Sequence, residues 1–265
     1  MVDDIFSIQI SQVKKDIYNG IIQCNVRGLM HSSKFLAELN HGLDMSQLGT
    51  NVTSFSEHFI EFDGIADTEQ DDYFLAKSYY DIREYDRAAY FTRSCESKVP
   101  TFLHLYSTYM SKEKKRLDNL TDNTNLNESG DLKDLANLLA TLKSLYNQRA
   151  MDGYMLYLYG VVLKKFDLNN MAVKVLVESI HAAPTLWSSY IELAPLITDR
   201  QKLNNLNLPN HWMKHLFIGH TLIELFLNDE CLKIFDDLQI AGFKKCVYII
   251  SQMAIAYHNK RSTIK

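Results

Sequence analysis

The sequence predicts an all-α protein built as a right-handed superhelical solenoid of stacked helix pairs, and three observations carry that prediction. Leu75-Ala76, Tyr79, Ala88, Cys95 and Pro100 recur in kind and spacing as Tyr159-Gly160, Leu163, Ala172, Ser179 and Pro184. Glycine (10) and proline (4) are scarce among 265 residues, which suits long helices and argues against the many tight turns of an all-β fold. Apolar residues also return at helical spacing over most of the chain.

Small residues where two helices must approach, with a proline after the second helix, are the pattern of a 34-residue tetratricopeptide unit. One such pair cannot close a core, so copies must stack on each other. That architecture favours a binding scaffold over an enzyme.

Residues 1–68 read as an N-terminal helix pair plus an acidic loop. Ile10, Val13, Ile17 and Ile21, then Leu29, Phe35, Leu36 and Leu39, form two amphipathic segments separated at Arg27-Gly28. His41 to Asp72 loses periodicity and gathers Glu61, Asp63, Asp67, Glu69, Asp71 and Asp72, which predicts a loop whose acidic end caps the next helix.

Residues 69–265 read as the repeat array, with clear repeats at 69–102, 153–186 and 212–245. In the first, Ala76 and Ala88 let the helices approach, Leu75 and Tyr79 fill the gap beside them, and Pro100 stops the second helix. An interrupted repeat spans 101–150. Its first helix runs through Phe102, Leu105, Tyr106 and Tyr109, its polar insertion is Leu117 to Gly130, and its second helix starts at an Asp131 cap.

Repeat 153–186 is the strongest, with Leu156, Tyr159, Gly160, Leu163, Ala172, Leu176, Ser179 and Pro184 all of suitable size. Residues 187–211 form a degenerate repeat, because Pro195 falls inside the first helix and Asn204, Asn205 and Asn207 weaken the second. Repeat 212–245 carries Ile218-Gly219, Leu222, Cys231 and Phe235. A truncated repeat, 247–265, opens with Ile250, Met253-Ala254 and Tyr257 and stops before its partner helix, which implies a longer protein.

The net charge of -4 offers no global attraction for phosphate backbones, so nucleic acid is not an expected partner. No apolar run approaches the ~20 residues of a membrane span, and the start MVDDIFSIQI carries acids where a secretory signal carries Lys or Arg. Four scattered cysteines match reduced thiols, with Cys95 and Cys231 at small packing positions. The expected location is nucleus and cytoplasm.

His211 and His215 in HWMKH are a turn apart, but the acid of a zinc-protease motif is absent and His215 sits at a packing position, so no metal is expected. KEKKR, Lys112 to Arg116, reads as a solvated helix end, the alternative being a short nuclear-import or phosphate-binding patch. Neither a phosphate-binding glycine loop nor a nucleophile motif is present, so no catalytic residue and no cofactor is nominated. Tyr73, Tyr80, Tyr157 and Tyr190 are either core residues or aromatic anchors for a bound peptide.

Beyond the repeat, CNVRGLMHSSKFLAELN (Cys24 to Asn40), YLYGVVLKKFDL (Tyr157 to Leu168), ESIHAAPTLWSSYIEL (Glu178 to Leu193), LPNHWMKHLF (Leu208 to Phe217) and SQMAIAYHNKR (Ser251 to Arg261) carry a specific likeness. Together they resemble the N-terminal half of the subunit 8 family of the anaphase-promoting complex, the cyclosome ubiquitin ligase. The resemblance implies a non-catalytic scaffold whose N-terminal repeats form a homodimer and assemble with other repeat and scaffold subunits. It also places coactivator binding in more C-terminal repeats, outside this chain.

Leu29, Phe35, Leu36 and Leu39 are candidates for the dimer interface, or else pack on the first repeat. The alternative is a peptide-binding adaptor of the same fold, such as a co-chaperone. Its carboxylate clamp needs Lys and Asn where this chain holds Tyr73 and Lys77, or Tyr157 and Val161.

Overall fold

Among the residues that the computed structural model describes, 5, 8–44, 65–121 and 128–262, the chain forms thirteen α-helices and no strand. The first six are α1 (Ile10–Val26), α2 (Met30–Gly42), α3 (Gln70–Asp81), α4 (Tyr85–Phe91), α5 (Lys98–Thr121) and α6 (Glu128–Asn147). They are followed by α7 (Gly153–Lys165), α8 (Asn169–Ala182), α9 (Trp187–Leu193) and α10 (Arg200–Asn205). The last three are α11 (Met213–Glu224), α12 (Asn228–Leu238) and α13 (Val247–Ser262). The fold is all-α and of the tetratricopeptide type.

The helices gather into two units: unit one takes the described residues of 1–24, 30–55 and 176–265, and unit two those of 25–29 and 56–175. In unit two, α3 packs on α4, α4 on α5, α5 on α6 and α6 on α7, while α3 and α7 also touch α5. Each helix therefore covers its neighbour's apolar face, as repeats do.

The core shared by α3, α4 and α5 contains Ile65, Tyr73, Ala76, Tyr80, Ala88, Val99 and Leu103. Ala76 and Ala88 are fully buried, as close helix approach requires. Helix α7 is buried at every position from Gly153 to Leu163, which marks a helix apolar on all sides.

The corner between α1 and α2 also belongs to unit two. Tyr73 donates its hydroxyl hydrogen to the Val26 carbonyl (2.8 Å) and Tyr80 to the Gly28 carbonyl (3.2 Å). Gly28 has φ +74°, and a Cβ there would stand 2.3 Å from a Tyr80 ring carbon, so both conformation and space demand glycine. Arg27 adds a buried ion pair to Asp152 (3.2 Å) and lies 4.0 Å over the Tyr154 ring.

Several expectations change in unit two. Leu75 is 42% exposed and fills no gap; the inward face of α3 is Tyr73, Ala76 and Tyr80, while Tyr79 stacks on Phe91 (5.6 Å). Pro100 does not stop a helix. It stands in the first turn of α5, where its missing N–H would have had no intrahelical acceptor.

The expected insertion of Leu117 to Gly130 shrinks, because α5 continues to Thr121 and α6 begins at Glu128; residues 122–127 lie outside the described residues. Lys, Glu, Arg and Leu favour helix enough to carry α5 through its polar stretch. Asp131 accordingly sits within α6 instead of capping it, and Lys112 to Arg116 lie inside α5 instead of at its end.

Of the acidic loop, residues 45–64 lie outside the described residues. At its end Glu69 accepts from the backbone N–H groups of Glu96 (2.7 Å) and Ser97 (3.1 Å), so it caps the approach to α5 and not its own helix.

In unit one, α11 and α12 pack on each other and both pack on α13. Gly219 is the contact point between α11 and α12: a Cβ there would stand 2.6 Å from the buried Phe235 ring. Pro195 does not sit within α9, which ends at Leu193; it lies in a 3₁₀ turn, Ala194–Leu196, and shortens the helix. Ala254 is exposed rather than a packing residue.

Candidate functional site

The most elaborate interaction geometry lies in unit one, where α2 rests on α9 and α13. Phe35 stacks face to face on Trp187 (4.3 Å between centroids, 8° between planes) and meets the Tyr248 ring edge-on (5.1 Å). Trp187 also meets Tyr248 edge-on (5.7 Å), and the Tyr248 hydroxyl is hydrogen-bonded to His220 Nδ1 (3.1 Å). Burial drives the His220 imidazole towards its neutral form and holds the Tyr248 phenol protonated.

Polar contacts fix the register of the helix. Ser32 and Ser188 share a 2.6 Å hydroxyl–hydroxyl hydrogen bond, and the Ser188 N–H donates to Ser32 Oγ (3.0 Å). Cys246 Sγ donates to the Leu39 carbonyl (3.6 Å), and the Asp44 N–H donates to the Gly242 carbonyl (2.9 Å). A Cβ at Gly42 would come within 2.6 Å of the Cys246 backbone, and one at Gly20 within 2.8 Å of a Leu36 methyl carbon, so both helices approach as closely as glycine permits.

Helix α1 is tied down by Asp16, which accepts from Trp212 Nε1 (3.1 Å) and Gln12 Nε2 (2.8 Å) and faces His211 Nε2 (3.5 Å). Burial raises the Asp16 pKa, but the hydrogen bonds from His211, Gln12 and Trp212 outweigh it and leave the carboxyl below its ordinary value. This groove holds an amphipathic helix by aromatic anchors in pockets and one polar register lock, the way a protein grips a partner helix.

Leu29 (3%), Phe35 (8%), Leu36 (0%) and Leu39 (1%), the interface candidates, are all buried within this chain, so as placed they are core residues and present no surface to a second copy. Tyr73, Tyr80, Tyr157 and Tyr190 are likewise buried and are not exposed anchors. Tyr159, Gly160, Leu163, Ala172, Leu176, Gly219 and Phe235 are buried, and Pro184 is half-buried with its carbonyl accepting from the Tyr190 hydroxyl (3.0 Å).

His215 is buried in α11 while His211 faces Asp16, so the two imidazoles do not converge. No group of three or more His, Cys, Asp or Glu able to hold a metal occurs among the described residues. No described helix is long and apolar enough to cross a membrane. Sequence reasoning missed Trp187, Tyr248, Ser32 and Ser188; their partners are too distant in sequence for spacing to pair them.

Stacked helix pairs with a helix gripped in an apolar groove define a protein of the tetratricopeptide type. The family described as anaphase promoting complex subunit 8 / Cdc23 matches residues 12–254. The chain is 43% identical over 244 residues to the cell division cycle protein 23 homolog of Bos taurus and 43% over 241 residues to that of Homo sapiens, each alignment covering 90% of this chain and 40% of the relative. It is 31% identical over 305 residues to anaphase-promoting complex subunit 8 of Dictyostelium discoideum, covering 95% of this chain and 52% of that protein. The chain belongs to the anaphase-promoting complex subunit 8 / Cdc23 family, and it spans about half or less of the length of these relatives.

Proposed function

We propose that the chain acts as a non-catalytic scaffold within the anaphase-promoting complex, joining other repeat and scaffold subunits of a ligase that attaches ubiquitin in the cell cycle, in the nucleus and cytoplasm. The observation that carries this reading is the family match over residues 12–254. Co-purification from cells tests it: the tagged chain brings other subunits of the complex with it, and recovery of none of them overturns the reading.

We further propose a homodimer, in which the groove that receives α2 in the single chain receives α2 of a second copy. Exchange of an element that already fits its groove needs no new surface, and reciprocity closes a C2 pair. Light scattering on a size-exclusion column at micromolar protein should return twice the mass of the chain, and a single-chain mass would defeat this part. Coactivator binding is assigned to repeats outside this chain. Nothing favours the adaptor reading, since the Tyr73 hydroxyl is committed to Val26 and Lys77 to Asp81 (2.5 Å).

A further inference from the structure

In unit two a cleft of about 370 Å³ opens between the α3–α4 turn and α5, with Arg83, Arg87, Lys114, Lys115 and Asp118 among its lining residues. Residues 83–87 and 111–118 hold six cations against four carboxylates, in a chain whose net charge is -4. Among the residues that line the cleft itself, four cations, Arg83, Arg87, Lys114 and Lys115, face three carboxylates, Glu84, Asp86 and Asp118, a small positive excess on an acidic protein.

Three of the four carboxylates are engaged. Asp86 accepts from the Ser111 hydroxyl (2.5 Å) and from Lys115 (3.0 Å), and these contacts, Ser111 first, hold its carboxyl ionised below the usual range. Glu84 accepts from Arg87 (2.8 Å), and Glu113 from Arg116 (3.1 Å) and Lys165 (3.0 Å). Lys114 instead donates to a neutral group, the Arg83 carbonyl (3.3 Å). Hydrogen bonding to a carbonyl leaves the ammonium charge uncancelled, and the Arg83 guanidinium adds a second charge at the same turn.

The turn itself keeps this arrangement at a cost. Arg83 has φ 65°, a backbone region unfavourable to any side chain with a Cβ, and Ile82 beside it is 64% exposed. An exposed apolar side chain adjacent in the chain to Arg83 suits a peptide that offers carboxylates flanked by an apolar residue. A regular phosphate backbone offers no apolar group to meet Ile82.

We propose that this cleft docks an acidic peptide segment of a partner protein, its carboxylates directed at Lys114 and Arg83. The proposal is independent of the dimer and of membership in the complex. The test uses the full chain and a fluorescein-labelled hexaglutamate peptide, read by fluorescence anisotropy at low ionic strength. Arg83→Gly combined with Lys114→Gln is expected to weaken binding about tenfold, since glycine also suits the φ of that turn and the fold is retained. Asp118→Asn, which removes the repelling carboxylate, is expected to tighten it. Absence of hexaglutamate binding, equal binding of hexaglutamine, equal competition by oligothymidylate, or unchanged affinity in the double variant each overturns the proposal.

Discussion

The two units hold themselves together by different means. In unit two each helix rests on those next in sequence, and the α1–α2 corner is pinned there by directional polar contacts: the Arg27–Asp152 ion pair and hydrogen bonds from Tyr73 and Tyr80 to backbone carbonyls. In unit one α2 lies against helices remote in sequence, Ser32 and Ser188 being 156 positions apart, and the contact is dominated by aromatic rings and glycine-permitted approach. Sequential stacking builds the scaffold with little loop-closure cost, whereas the distant seat must offset that cost by burial.

The largest effects come from breaking each mode separately. Phe35→Ala removes the ring between Trp187 and Tyr248 and should cost about 3–5 kcal/mol, the range for a buried aromatic truncated to alanine. Hydrogen exchange should accelerate in α2, α9 and α13. Asp152→Ala leaves the buried Arg27 guanidinium without its carboxylate and removes the acceptor for the Tyr154 and Met155 N–H groups, at about 3–5 kcal/mol. Exchange should then accelerate at the 25–29 corner and in α7. If either substitution loosens the two units equally, the contrast between them fails.

A smaller effect follows from Asp16. Its pKa is lowered in the folded chain, so its contribution to stability is present above the unfolded value, about 4, and is lost as pH falls through the folded value. Acidification below that point should release α1 from Trp212 and shift the tryptophan emission. In Asp16→Asn the acid-dependent shift should disappear; its persistence would show that another group governs this contact.

What could be read in advance was local. Ala76, Ala88 and Gly219 announce helix approach because a larger side chain cannot fit, and that constraint acts within one helix pair. Leu75 misled because repeat spacing marks a position that packs only if a neighbouring helix covers it, and here it stays 42% exposed. Pro100 misled because a proline after one helix and a proline in the first turn of the next occupy the same place in the sequence. The α2 groove left no periodic trace, since neither Phe35 nor Trp187 carries information about the other. The glycines on both helices of the hairpin, Gly20 and Gly42, were the available hint of close packing.

The smallest predicted effect concerns a device that both units share. Arg83, Arg149, Asp167 and Phe226 have φ of 65°, 55°, 55° and 58°, and each ends a helix with the same pair of backbone bonds. At Phe226 its own N–H donates to the Ile223 carbonyl (2.9 Å) and the Leu227 N–H to the Leu222 carbonyl (2.9 Å); at Arg83 the corresponding acceptors are Tyr80 (2.9 Å) and Tyr79 (2.9 Å). This is the left-handed cap that glycine adopts without penalty and other residues adopt at about 1 kcal/mol or more. Phe226 is 72% exposed, so its replacement sacrifices little buried surface. Phe226→Gly should therefore raise stability by about 0.5–1 kcal/mol, and Asp167→Gly by less, because aspartate tolerates this conformation better than phenylalanine. A lower urea midpoint for Phe226→Gly would mean that the exposed ring contributes more to unit one than its cap costs.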